Sequence, residues 1–207
     1  MKIGIFGGSF NPPHNGHVNS LTTVQKKMGF DLIHIVPNNQ NPLKIPMEGP
    51  SKEHRLEMAK VAFGSYGNAF HINDTELNRG GKSYTIDTIK ELLKEYKSKD
   101  VYLILGADNF EKLSEWKEKK KILELVNIVV TTRPGYSIPQ NETEWPDYLT
   151  PLVAESDFGT LELTAGRSVE FISLNDLDIS SSELRKKLRL GRPSEKFLPL
   201  SVESYIK

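Results

Sequence analysis

The chain has 207 residues, with Lys+Arg 27 balanced by Asp+Glu 27 and no cysteine. That length is most simply one α/β domain able to bury a real core. Zero net charge argues against a general nucleic-acid or membrane surface, and the lack of cysteine excludes a disulfide framework or a thiolate metal site. No apolar run approaches a membrane span, and the N-terminus reads as a short strand rather than a signal h-region, so a soluble cytoplasmic protein is expected. No internal repeat or low-complexity block is present.

Lys2-Ile3-Gly4-Ile5-Phe6 is short, apolar and bounded by glycine, the pattern of a buried strand. Gly7 and Gly8 follow, letting the chain turn sharply and bring backbone N–H groups close to a ligand. Pro12 and Pro13 stiffen an extended connection, and Val18, Leu21, Val24 and Met28 then mark a helix. A strand, a glycine turn and a helix start make an anion site, because unpaired N–H groups and the positive end of the helix dipole converge there. His14 and His17, three residues apart, sit at its mouth, with Gly16 leaving room for a ligand between them. Ordinary helix-start polar residues are the plain alternative, but the coincidence of turn, proline spacer and paired imidazoles favours phosphate contact.

The stretch Gly8-Ser9-Phe10-Asn11-Pro12-Pro13-His14-Asn15-Gly16-His17 resembles the first signature of the HxGH nucleotidyltransferase superfamily. Almost end to end, the chain is similar to the bacterial nicotinate-mononucleotide adenylyltransferases within it. The resemblance implies a Rossmann-like, doubly wound, mainly parallel sheet with helices on both faces, and ATP contacts from Gly7, Gly8, Ser9 and Phe10.

Asp31 to Val36 reads as a second strand ending at Pro37, with His34 a partly buried strand histidine. Strand, helix, strand is a βαβ unit, whose ligands bind beyond the carboxyl ends of the strands. The loop Asn38 to Lys44 should therefore face the same crevice. Its amides, Asn39 among them, suit a polar ligand and Lys44 suits a phosphate, though a solvated loop also fits. The family often has histidine where this chain has Leu43, which removes one polar contact. A helix from Ser51 to about Phe63 turns Leu56, Ala59 and Phe63 inward and leaves His54 and Arg55 on the surface. Phe70-His71-Ile72 is a short strand. Arg79-Gly80-Gly81-Lys82-Ser83 is a loop and not a phosphate-binding P-loop, because Glu76 stands where that motif needs glycine.

Ser83-Tyr84-Thr85 opens a strong helix whose apolar face carries Ile86, Ile89, Leu92, Leu93 and Tyr96. Its free N–H groups and hydroxyls suit a carboxylate, while Ser83 or Thr85 can also serve simply as a cap. The family resemblance implies that Ser83, Tyr84 and Thr85 hold the nicotinate carboxylate. Val101 to Leu105 is a buried strand, and Gly106 and Asp108 follow at its carboxyl end, where an acid can accept both hydroxyls of a ribose or cap the next helix. The family's Gly-x-Asp binds the adenosine ribose. Trp116 stands where the family stacks a tryptophan on the pyridine ring, although spacing from Leu113 also permits a core role. Lys117 replaces the tyrosine or phenylalanine often found there, and only its backbone N–H is expected to matter. The run Lys117 to Lys121 reads as a solvated helix face.

Asn127 to Thr132 is another strand, after which Arg133 is placed near a phosphate or the adenine, a structural arginine being equally plausible. Residues 137–166 read as an irregular, elaborated loop with Trp145 and Tyr148 as anchors, a candidate surface for self-association and nothing chemical. Val169 to Ile172 is the last strand. A C-terminal helical portion then begins at about 180. Ser180 and Glu183 form a capping box, Ile179 and Leu184 a hydrophobic staple, and Gly191 the stop. The capping pattern does not account for Arg185, whose guanidinium can bind phosphate oxygens in a fork. Ile179, Ser180, Ser181 and Arg185 fall on the superfamily's second signature, and Lys186, Lys187 and Arg189 should face solvent.

Two separate anion sites, at His14/His17 and at Ser180–Arg185, suit a triphosphate. The resemblance implies that nicotinate mononucleotide attacks the α-phosphorus of ATP, giving deamido-NAD and pyrophosphate, with magnesium delivered by ATP and no protein metal site. Rivals are a relative acting on nicotinamide mononucleotide or phosphopantetheine, and a nucleotide sensor without chemistry. A redox Rossmann protein is disfavoured, since no Gly-x-Gly-x-x-Gly follows the first strand.

Overall fold

The structure is a computed structural model that describes residues 1–44, 49–96, 100–132, 138–139, 141–174, 179–192, 194 and 196–207. The first half runs β1 (Ile3–Gly8), α1 (Asn15–Met28), β2 (Leu32–Pro37), α2 (Lys52–Phe63), β3 (Phe70–Ile72), α3 (Thr75–Arg79) and α4 (Thr85–Tyr96). The second half runs β4 (Val101–Gly106), α5 (Ala107–Glu111), α6 (Lys119–Leu125), β5 (Asn127–Thr132), β6 (Val153–Asp157), β7 (Thr160–Leu163), β8 (Ser168–Ser173), α7 (Ser181–Arg189) and α8 (Leu200–Ile206).

Among the described residues the strands form one sheet in the order β3-β2-β1-β4-β5-β8-β7-β6. Pairing is parallel from β3 through β8 and antiparallel for β7 against β8 and β6 against β7. Both faces of the central strands are buried, and alternate side chains enter opposite layers. Val101, Leu103 and Leu105 of β4 join the layer of α4 and α6 through Ile86, Ile89, Ile122 and Leu123. Tyr102 and Ile104 join the other, with Val18, Leu21 and Val24 of α1, Met58 and Phe63 of α2 and Leu184 of α7. This is the doubly wound, mainly parallel architecture that the sequence implies.

From β1 the chain moves outward to β2 and β3, then returns to the other side of β1 to lay down β4 and β5. The order therefore reverses between β1 and β4. In open α/β sheets such a reversal opens a crevice at the strands' carboxyl ends, and ligands bind there. Gly7-Gly8 and Gly106 are those ends.

Part of the stretch 137–166, expected as an irregular loop, is regular: the described residues from Val153 to Leu163 depart from that expectation. Within them β6 and β7 form a hairpin that extends the sheet beyond β8. Leu161 and Leu163 alternate inward into the core, while Glu155, Ser156 and Asp157 of the edge strand are exposed. Tyr148 anchors the preceding segment by donating its hydroxyl to the Phe110 carbonyl at 2.7 Å.

Candidate active site

A cavity of about 910 Å³ opens at the crevice between β1 and β4. Its first wall is the carboxyl end of β1, where Gly7 and Gly8 continue the strand opposite Val36 and Pro37 instead of turning as expected, followed by the turn at Ser9 and Phe10. Phe10 adopts a left-handed backbone (φ 45°) and buries its ring against Phe6, His17 and Phe63 at centroid distances of 6.0, 5.4 and 5.8 Å. Gly8 makes this possible, since a Cβ there would meet the Phe10 ring at 3.0 Å.

His14 is the N-cap of α1. The His17 N–H donates to His14 Nδ1 at 3.4 Å, and the His14 N–H donates to His17 Nδ1 at 3.2 Å. This is a capping box built from two imidazoles, in the place where Ser/Thr and Glu usually serve. Because each Nδ1 accepts, the ring proton of each neutral imidazole belongs on Nε2, making that atom a donor. Both residues line the cavity. Gly16 has a role that sequence reasoning placed elsewhere. A Cβ there would meet His14 Nδ1 at 3.0 Å, so the glycine leaves space for the His14 ring rather than for a ligand between the two.

The opposite wall comes from the chain's last third. Ile179, Ser180, Ser181 and Arg185 all line the same cavity as the histidines. The expected cap is present, with the Glu183 N–H donating to Ser180 Oγ and the Ser180 N–H to Glu183 Oε2, each at 3.2 Å. Ile179 and Leu184 bury together as the staple. Arg185 Nη1 donates to the Asn11 carbonyl at 2.8 Å, and Ser181 Oγ donates to the Pro12 carbonyl at 3.0 Å. The two signatures are thus stitched to each other directly. Lys187, expected to face solvent, instead lies over the Phe197 ring with Nζ 3.9 Å from its centroid.

At the far end Ser83, Tyr84, Thr85, Gly106, Asp108, Trp116 and Lys117 also line the cavity, as does Lys44. Trp116 is half-buried and packs on the core, with its backbone N–H donating to the Leu113 carbonyl at 3.1 Å, so one side is structural while it still borders the space. The Lys117 side chain does more than expected: Nζ sits 4.6 Å from the centroid of Tyr84 and 3.3 Å from Asp87 Oδ2. Since α4 begins at Thr85, Ser83 is not its cap. Ser83 Oγ accepts from the Asn39 N–H at 2.9 Å, and the Ser83 N–H donates to the Gln40 carbonyl at 2.8 Å. Asn39 itself does not line the cavity; its side-chain amide donates to the Gly81 carbonyl at 2.8 Å, and its neighbour Asn38 faces the space. Arg133 lies outside the described residues.

Two groups emerge that sequence reasoning did not single out. Glu76 is buried at the cavity wall, accepts from Thr88 Oγ1 at 2.6 Å, and is pushed up from the ordinary carboxylate range by burial. Arg55, expected on the surface, is 8% exposed and donates to the carbonyls of Ser9, Asn38 and Asn39. Among cavity-lining charges, Lys44, Lys82, Lys112, Lys117 and Arg185 outweigh Glu76, Asp108 and Glu115, a balance suited to an anionic ligand. Among the described residues no three of His, Cys, Asp or Glu gather where they could hold a metal ion, and no helix is long and apolar enough to cross a membrane.

A sheet reversal lined by paired histidines and a capped helix bearing arginine is a nucleotide-binding arrangement, and the chain belongs to the cytidylyltransferase-like family, whose model matches residues 5–187. Among curated relatives, proteins named "Probable nicotinate-nucleotide adenylyltransferase" from Geotalea daltonii and Bacillus licheniformis are 38% and 34% identical to it. Each alignment covers all of this chain, and respectively 96% and 95% of the relative. Among solved structures, the Plasmodium falciparum nicotinic acid mononucleotide adenylyltransferase complexed with NaAD matches with a TM-score of 0.74 at 21% identity. That match covers 100% of this chain and 95% of the other and bears on the fold.

Proposed function

We propose that this chain, acting as one nucleotidyltransferase domain in the cytoplasm, transfers the adenylyl group of ATP to nicotinate mononucleotide, forming deamido-NAD and pyrophosphate in NAD biosynthesis. Relatives of that name match over the full chain. The observation that carries the reading is that His14, His17 and Arg185, from opposite ends of the sequence, border one cavity with Ser83, Tyr84, Thr85 and Trp116.

The nucleophile is a phosphate oxygen that is already anionic, so no general base is required. It attacks the α-phosphorus as the bond to the pyrophosphate oxygen breaks, and the protein's part is positioning and charge stabilisation. His17 supports charge on the α-phosphate through an Nε2–H. His14, Lys44 and Arg185 hold the β- and γ-phosphates, assisted by the N-termini of α1 and α7. Gly7, Gly8, Ser9 and Phe10 approach the ATP through their backbone, while Gly106 and Asp108 take its ribose. Ile179, Ser180 and Ser181 present the second signature to the same nucleotide. Tyr84, Thr85 and the Lys117 N–H receive the pyridine carboxylate, with Trp116 stacked on the ring. Ser83 and Asn39 shape that end by bonding each other.

Magnesium would enter as the ATP complex, bound to substrate phosphates and keeping most of its waters, as this ion prefers where carboxylates are sparse. Its contribution is to neutralise charge on the phosphates.

Turnover with the acid and amide mononucleotides, measured side by side, tests the reading. Pyrophosphate release with the acid at much higher kcat/KM is expected. Preference for the amide, or for phosphopantetheine, would move the chain to a sister activity, and ATP binding without pyrophosphate release would leave a sensor.

A further inference from the structure

Arg55 occupies the first turn of α2, outside the cavity, yet its guanidinium is buried beneath two cavity-lining segments. Nη1 donates to the Ser9 carbonyl at 3.0 Å and to the Asn38 carbonyl at 2.6 Å, and Nη2 donates to the Asn39 carbonyl at 3.1 Å. No carboxylate among the described residues lies within ion-pair distance of it. Burying a charge that no carboxylate pairs directly is costly, and here desolvation lowers the guanidinium's hold on its proton, offset in part by the nearby Glu53. An apolar side chain would fill the same space at less cost, unless those carbonyls need donors in this geometry.

The three carbonyls belong to two different walls. Ser9 lies in the turn after β1, between Gly8 and Phe10, on the nucleotide side. Asn38 and Asn39 lead the loop after β2, and the Asn39 N–H passes the connection on to Ser83 Oγ beside α4. Two further bonds tie the same segments, from the Asn38 N–H to the Gly8 carbonyl at 2.9 Å and from Asn38 Nδ2 to Ser9 Oγ at 3.2 Å. One planar fork thus sets the spacing between the turn that faces ATP and the loop leading to the mononucleotide end. A lysine ammonium, a single point on a flexible stem, cannot reproduce that fork.

We propose that Arg55 is a positioning residue for adenylyl transfer, holding the Ser9, Asn38 and Asn39 carbonyls so that the two substrate half-sites face each other at reacting distance. The proposal rests on the activity assigned above. It assigns to the first turn of α2 a part in the reaction although the side chain touches neither substrate.

The test uses the full chain as wild type, Arg55→Lys and Arg55→Ala, each assayed below its melting temperature. The KM for ATP, the KM for nicotinate mononucleotide and kcat are measured, with ATP affinity by calorimetry. Misplacing reacting groups by about 1 Å costs on the order of 10²-fold. Arg55→Lys should therefore lose about 30- to 100-fold in kcat/KM, with both KM values raised together and ATP binding weakened. Arg55→Ala should lose more, and added guanidinium should restore part of it where methylammonium does not. If Arg55 only supports the fold, the variants melt earlier and lose kcat in proportion to unfolded protein, with both KM values and ATP affinity unchanged; that result overturns the proposal. Near-wild-type kcat/KM in Arg55→Lys overturns it as well, and this variant decides the matter if Arg55→Ala does not fold. Should wild type bind ATP without turnover, the assigned activity fails, and unchanged ATP affinity in Arg55→Lys would then be the result that removes Arg55.

Discussion

The imidazoles of His14 and His17 stack face to face, with centroids 3.7 Å apart and planes inclined by 26°, while each Nδ1 accepts the other residue's backbone N–H. The same contacts start helix α1 and fix which ring nitrogen carries the proton. Capping and chemistry are therefore separable by substitution. His17→Ala should lower kcat by roughly 10²–10³-fold, the scale of losing one transition-state donor. His14→Asn keeps a good N-cap, so its melting temperature should stay within a few degrees of wild type while turnover falls. Steady-state rates and thermal melts on both variants check this, and a turnover close to wild type in His17→Ala would remove that residue from the mechanism.

The Arg185 guanidinium donates to the Asn11 carbonyl and to Ser182 Oγ, at 2.8 and 3.1 Å. Arg185→Lys keeps the charge but loses the fork. Charge-assisted hydrogen bonds of this kind are worth about 1.5–3 kcal/mol. The variant should accordingly lose about 10- to 100-fold in kcat/KM for ATP, read by varying ATP at saturating mononucleotide.

Trp116 is held from behind by the core, so Trp116→Ala removes a face from the cavity without removing its support. Stacking on an aromatic ring is worth about 1–3 kcal/mol. The KM for the mononucleotide should rise by roughly 10- to 100-fold while that for ATP stays nearly constant. If both constants stay put, the residue serves packing alone.

His34 is buried in β2 between His71 and Tyr96, and its Nε2 has no hydrogen-bond partner among the described residues. Burial, reinforced by His71 and opposed by Glu95, lowers its pKa from 6.5 to about 4. The unfolded chain therefore takes up this proton near pH 6.5 and the folded chain only near pH 4, so acidification through that window favours unfolding. Wild type should lose stability between those values by an amount on the order of 3 kcal/mol more than His34→Phe does. Urea denaturation from pH 4 to 8 measures the difference, and parallel profiles would contradict it.

The central strands and the helices α1, α4 and α7 announce themselves in the sequence through periodicity, glycine stops and caps, and the two signatures locate most of the cavity wall. What stays hidden depends on partners distant in the chain. The hairpin β6–β7 carries a signal, since Leu161 and Leu163 alternate between Gly159 and Gly166, but its outer strand is polar and reads as loop. Arg55 looks like any charged residue on a helix's first turn. Its acceptors lie 16, 17 and 46 residues away, and no local pattern points to them. Asn39 and Ser83 were each legible as polar and near the crevice, yet their bond to each other, across 44 residues, is a tertiary fact.

The left-handed backbone at Phe10 is sustained by a ring locked among Phe6, His17 and Phe63. The turn bordering the cavity thus takes its shape when the chain folds, and its entropy is surrendered then instead of at each encounter with a ligand. Affinity for the nucleotide becomes hostage to an aromatic cluster beside it. Trimming Phe63, at the distant end of α2 and outside the cavity, should weaken nucleotide capture by loosening the Phe10 ring that it holds.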